Sequence, residues 1–110
     1  MPPEGGDPAV IRLFHRQSIQ DGVDTCRRTP GAVLLDVREA EEFASGHIPG
    51  AVNLPLSRIS AVTLPKDTPL YIYCLRGTRS RRAASILKKM GYPQAQSIGG
   101  IASWRGPTER

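Results

Sequence analysis

Aromatic residues are scarce in this chain, 5% of 110 residues, and no basic stripe is interleaved with them. Base stacking on single-stranded nucleic acid therefore has little to work with. Long apolar runs are absent, and none approaches the roughly 20 residues that span a bilayer, so no membrane partner is expected. The opening decapeptide MPPEGGDPAV has no basic segment followed by an apolar one, hence no secretory signal. A cytoplasmic protein is expected. Cysteine is also sparse: Cys26 and Cys74 are too few for a disulfide framework. Two independent thiols in a reducing compartment are the simpler reading. Nothing calls for a metal or a cofactor.

What is present fits one α/β domain. Hydrophobic residues make up 39% and charged residues 23%, an ordinary balance for a folded globular chain. The net charge of +5 suits either nucleic acid or small anions drawn to a basic cleft. Residues 1–9 are rich in proline and glycine and are expected as a loose tail, with a single domain over 10–110. VIRLFH, residues 10–15, is expected as a first strand. Ser18 can cap a helix running to about Arg28, with Ile19, Val23 and Cys26 on one face. Gly22 weakens that helix by ~1 kcal/mol relative to alanine.

AVLLDV is a continuous apolar run of the kind buried on both faces of a parallel sheet. REAEEFAS suggests a short helix ending at Gly46, GAVNLP a short strand closed by Pro55, and 57–61 one helical turn. PLYIYC is the clearest strand. SRRAASILKKMG is the clearest helix, with Ala83, Ile86, Leu87 and Met90 on one apolar face and Gly91 as terminator. AQSI is a last strand and ASW a last helical turn. Strands alternating with helices argue for a mostly parallel sheet.

Between the clearest strand and the clearest helix lies Cys74-Leu75-Arg76-Gly77-Thr78-Arg79, with the helix expected to start at about Ser80. Open α/β sheets place ligands at this end of their strands. Helix N-termini offer unpaired N–H groups and partial positive charge. Gly77 permits a turn that aims successive N–H groups at one point, and Arg79 adds a planar cation. Each effect favours thiolate over thiol at Cys74. Cys26, on an apolar helical stripe, reads instead as a core residue. His15 and His47 are remote from the loop in sequence, and no general base is evident.

Four segments in order, LLDVREAEEF (34–43), GHIPGAVNLP (46–55), YIYCLRGTRS (71–80) and IGGIASWRG (98–106), resemble the signatures of the rhodanese-like single-domain sulfurtransferases. The resemblance implies a central, mostly parallel five-stranded sheet flanked by helices on both faces. It implies that Cys74 takes sulfane sulfur from thiosulfate or another donor as a persulfide and passes it to cyanide or a thiol. The N–H groups of Leu75, Arg76, Gly77, Thr78, Arg79 and Ser80 would cradle that persulfide, with Arg76 steering thiosulfate. Asp36, Arg38 and Glu42 match charged positions of the family and are expected to form one ion network supporting the loop. His47, Gly99, Gly100 and Trp104 fit structural turns, the indole packing against the core. The chain is shorter than the two-domain animal-type rhodaneses and has no long helix after Trp104.

Three other readings compete. Related cysteine phosphatases use a cysteine, N–H groups and an arginine, but with one more residue in the loop than the four between Cys74 and Arg79. The same cup would equally serve a sulfur carrier loaded by a cysteine desulfurase, or one working with a thioredoxin-like partner. Arg81, Arg82, Lys88 and Lys89 form a basic helix face that would suit RNA, although a solvated face explains them as well.

Overall fold

A computed structural model describes residues 18–110. The order of elements is α1 (Ile19–Arg28), β1 (Val33–Asp36), α2 (Ala40–Ser45), β2 (Val52–Asn53), a 3-10 turn (Leu56–Ala61), β3 (Leu70–Cys74), α3 (Thr78–Lys89), β4 (Ala95–Gly100) and a last 3-10 turn (Ile101–Ser103). Among the described residues the sheet has four strands in the order β2-β1-β3-β4, and every pairing is parallel. The strand expected over 10–15 and the tail over 1–9 lie outside the described residues, as does His15.

All five residues of β3 are buried, as a strand covered on both faces requires. Their alternation sorts the core into two halves. Leu70, Ile72 and Cys74 face Ala83 and Leu87 of α3, together with Leu35 and Tyr92. Tyr71 and Tyr73 face the opposite way, toward Ile19, Val23 and Cys26 of α1 and toward Leu34 and Ile98. Cys74 is thus the last residue of a fully buried strand, on the side that meets α3.

The local signals explain most boundaries. Ser18 Oγ accepts the N–H of Asp21 at 3.2 Å and opens α1. Gly46 ends α2. Gly22 is more than a weak helix residue: a Cβ there would lie 2.6 Å from Ile98 Cβ, so its absence lets α1 sit close on β4. GAVNLP yields only the two paired residues of β2, because Pro55 and the turn after it stop the ladder.

Helix α3 begins at Thr78, two residues before the start read from the sequence, with Gly77 as its N-cap at φ 103°. Ser80 is therefore not a cap. It lies inside the first turn and is fully buried.

Candidate active site

Only Leu75, Arg76 and Gly77 separate β3 from α3, so the chain must turn sharply just after Cys74. The positive φ of Gly77, strained for any residue with a Cβ, makes that turn. It also brings amide groups onto the sulfur. Cys74 Sγ accepts the Gly77 N–H at 3.0 Å and the Ser80 N–H at 3.3 Å, and lies 3.7 Å from Ser80 Oγ. No side chain caps α3; the sulfur of Cys74 takes that place, accepting N–H groups that the helix itself leaves unpaired.

The thiol is held below its ordinary value. Burial, the largest single influence, pushes upward. It is outweighed by the N–H and hydroxyl of Ser80 and the N–H groups of Gly77 and Arg76. Burial acting on Cys26, opposed by the Arg27 charge, pushes that thiol up. The two cysteines are thus opposite in character, although both are buried.

Cys74 is 1% exposed, a more enclosed position than an open cup suggests. It nonetheless borders a cavity of about 190 Å³ lined with Leu75, Arg76, Thr78 and Arg79. At ~30 Å³ per water, that is room for a small anion. Leu75, Arg76 and Thr78 are exposed at its rim. A larger cavity, about 590 Å³, shares Arg76 and is bordered by Arg81, Ser97, Gly100 and Arg105.

Arg79 borders the Cys74 cavity, but its guanidinium is engaged by a carboxylate. Arg79 makes a bidentate pair with Glu42, Nη1 to Oε1 at 2.7 Å and Nη2 to Oε2 at 3.0 Å. Its charge is therefore largely answered by a carboxylate, and the amides do most to hold the thiolate. That hydrogen bond is the chief reason Glu42 titrates at about 2, with burial opposing.

The single ion network expected of Asp36, Arg38 and Glu42 is two separate pairs. Arg38 binds the Asp36 carboxylate through Nε at 3.1 Å and Nη2 at 2.7 Å, with both residues buried. Arg38 Nη2 also donates to Gly46 O at 2.8 Å, tying the end of β1 to the turn after α2. Glu42 reaches instead to α3. His47 has a structural place: its ring stacks on Phe43, Nδ1 lies 2.9 Å from Phe43 O, and its backbone pairs with Glu109. Trp104 packs against the α1 half of the core and donates from Nε1 to Pro107 O at 2.9 Å.

Two features of the site carry no local signal. Ser97 Oγ sits 2.6 Å from Ser80 Oγ, across 17 residues of chain. Gly100 forms a wall of the loop: a Cβ there would fall on Leu75 O and 2.5 Å from Arg76 Cα.

A family model, the Rhodanese-like domain, matches residues 18–106. The chain belongs to the rhodanese-like family. Among curated relatives it is similar to the thiosulfate sulfurtransferase GlpE of Pseudomonas savastanoi pv. phaseolicola, 40% identical over 71% of this chain and 76% of the relative. It is also similar to the putative sulfur carrier protein YrkF of Bacillus subtilis, 40% identical over 69% of this chain and 43% of that protein. Among solved structures it superposes on the human single-domain sulfurtransferase TSTD1 with a TM-score of 0.64 at 28% identity, covering 74% of this chain and 88% of that one. The match spans only 62%, 43%, 25% and 25% of the length of four curated relatives. The chain has the rhodanese-like fold, a parallel sheet flanked by helices. No helix among the described residues is long and apolar enough to cross a membrane.

Proposed function

We propose that this rhodanese-like protein is a sulfurtransferase that carries sulfane sulfur on Cys74, with thiosulfate as a donor. The observation that carries the reading is the pair of amide N–H groups, Gly77 and Ser80, bonded to a sulfur that borders an anion-sized cavity. The Cys74 thiolate attacks the outer sulfur of thiosulfate. The S–S bond of the donor breaks, sulfite departs with the electron pair, and Cys74 is left as a persulfide anion. Cyanide or a thiolate then attacks the outer sulfur, taking it away and returning the Cys74 thiolate. No general base is needed, because thiolates react readily with soft sulfur.

The amides of Gly77 and Ser80 that hold the resting sulfur are placed to stabilise negative charge. Thr78 and Arg79, the first two residues of α3, also have N–H groups without intrahelical acceptors. Arg76, exposed and bordering both cavities, supplies the positive charge that draws in an anionic donor. The cysteine-phosphatase reading is weaker, because Arg79 is bound to Glu42 and the loop is short for a tetrahedral phosphate.

A sulfur carrier is the second reading, favoured by the similarity to the putative sulfur carrier protein YrkF. It needs the same cup, and its partners would be a cysteine desulfurase or a thioredoxin-like protein in the cytoplasm. Comparing sulfur loading from thiosulfate with loading from a protein persulfide separates the two.

Intact-mass spectrometry after incubation with thiosulfate tests the chemistry. The wild type should gain one sulfur, released by cyanide or a reductant. Cys26→Ser should gain it too, and Cys74→Ser should not. No gain on the wild type, or a gain that persists in Cys74→Ser, overturns the reading. So does rapid hydrolysis of an aryl phosphate without thiocyanate formation.

A further inference from the structure

The hydrogen bonds around Cys74 do not end at Ser80. Ser80 Oγ lies 3.7 Å from Cys74 Sγ on one side and 2.6 Å from Ser97 Oγ on the other. Ser80 is fully buried, whereas Ser97 is partly exposed and borders the 590 Å³ cavity with Arg76, Arg81 and Arg105. Two hydroxyls therefore connect an enclosed sulfur to a second cavity, distinct from the one onto which the sulfur opens.

We propose that Ser97 is a positioning residue for the Cys74 nucleophile, turning the Ser80 hydroxyl toward the sulfur and completing a hydroxyl relay that carries the thiol proton to the arginine-lined cavity. The proposal rests on the sulfurtransferase reading, since only a sulfur that must act as an anion needs its proton taken away.

Ser80 has one hydroxyl hydrogen and several claimants for it. Gly77 O at 3.0 Å and Gly99 O at 3.3 Å accept from it as readily as the sulfur does. Gly77 O already receives the Arg81 N–H at 3.1 Å, so it is not orphaned if Ser80 turns away. A hydroxyl that accepts a short hydrogen bond becomes a better donor. The 2.6 Å contact is at the short end for two hydroxyls. With Ser97 donating into it, Ser80 is both polarised and free to donate to Sγ.

The proton count closes. The S–H bond breaks as its proton passes to Ser80 Oγ, the original Ser80 proton passes to Ser97 Oγ, and the original Ser97 proton passes to water in the cavity. Both hydroxyls remain neutral, but their O–H bonds now point toward the sulfur. The exit of the proton thus leaves the chain oriented to hold the anion. Three guanidinium groups at the far end repel a lingering hydronium, so the proton does not stay in the cavity but moves on through water to solvent. The route lets the proton depart on the side of the second cavity, leaving the 190 Å³ cavity beside Cys74 to the sulfur donor.

The charges nearest Cys74 are Arg76 in the loop and Arg79 of α3 with its partner Glu42 of α2; the Asp36–Arg38 pair lies with Tyr73, on the other face of the sheet. Exchanging Ser97 alters none of them. The experiment follows two signals against pH, the rate of sulfur loading from thiosulfate and the ultraviolet absorbance of the thiolate, in wild type, Ser97→Ala, Ser97→Thr, Ser80→Ala and the double alanine variant.

Ser97→Ala should move both profiles to higher pH, lowering the neutral-pH loading rate roughly threefold to tenfold while the alkaline plateau is kept. Ser97→Thr, which retains the hydroxyl, should restore the wild-type midpoint. The double variant should be no worse than Ser80→Ala, since both act through one chain. Unchanged midpoints in Ser97→Ala, or an equal loss of rate at every pH, would overturn the proposal. If the wild type takes up no sulfur, the functional reading fails, and the thiolate absorbance still decides whether Ser97 governs the titration.

Discussion

Glu42 and Arg79, 37 residues apart in sequence, face each other through two parallel hydrogen bonds, and the same Glu42 oxygen accepts the Glu39 N–H at 2.9 Å. One carboxylate therefore closes the capping box of α2 and anchors the first turn of α3. Bidentate pairs of this sort fix direction as well as distance. Because Arg79 follows Thr78 at the rim of the Cys74 cavity, the pair sets where that rim stands.

Arg79→Ala should slow sulfur loading without unfolding the domain. The pair is about one third exposed on both sides, so its loss costs ~1 kcal/mol or less of stability. Misplacement of the rim is the larger effect, and loading from thiosulfate should fall roughly tenfold. Thermal unfolding and intact-mass kinetics on the same preparation check both parts. A collapse of the fold would show that the guanidinium serves the core rather than the cavity.

Acid should weaken the protein through the same contact. Glu42 titrates at about 2 in the folded state against an ordinary 4.5. A carboxylate whose value falls on folding stabilises the folded state fully above the unfolded value and loses that contribution as pH falls toward the folded one. Urea unfolding from above pH 4.5 down to about pH 2 should reveal the loss. Glu42→Gln should flatten that part of the curve; an unaltered slope in the variant would exclude Glu42 as its source.

Gly100→Ala should disable the loop. The backbone at Gly100 is extended, φ −134°, so alanine suits its conformation, and the conflict is purely one of space. The added methyl collides with the backbone of Leu75 and Arg76, which has no side-chain freedom to yield. A cost of about 3 kcal/mol is expected, together with loss of most sulfur loading. A variant that loads sulfur at the wild-type rate would mean that the loop can shift without consequence.

For Gly22→Ala, two effects compete. Alanine improves the helix by ~1 kcal/mol. Its methyl would intrude on Ile98 at 2.6 Å, in a contact between α1 and β4 where overpacking costs about 1–3 kcal/mol. The steric term should win, and thermal unfolding should show a lower midpoint. A raised midpoint would mean that α1 slides on the sheet at little cost.

The elements that were legible in the sequence depend on near neighbours. Ser18 caps the helix that follows it, Ile19, Val23 and Cys26 recur at helical spacing and are buried, and LYIYC is the buried central strand. Ser80 has the chemistry of a cap, so the sequence points to a start for α3 two residues later than the Thr78 at which it begins. The sulfur of Cys74 fills that role from outside the helix, an arrangement that helix preferences do not encode. The charge of Arg79 points to the loop for a similar reason: its neighbours in sequence are the loop, while its bidentate partner in space is Glu42. Ser97 and the wall at Gly100 belong to β4, and only the sheet brings them to the loop.

Residue order alone determined that a cysteine would follow a buried strand, turn through a glycine and enter a helix, and so be bathed in amide N–H groups. Those effects act over a few residues and survive in any fold that keeps the strand and the helix. Tertiary structure decided which charges remain unanswered, since long side chains find partners wherever packing places them. It gave Arg79 to Glu42, left Arg76 at the mouth of the site, and set a second hydroxyl behind the first.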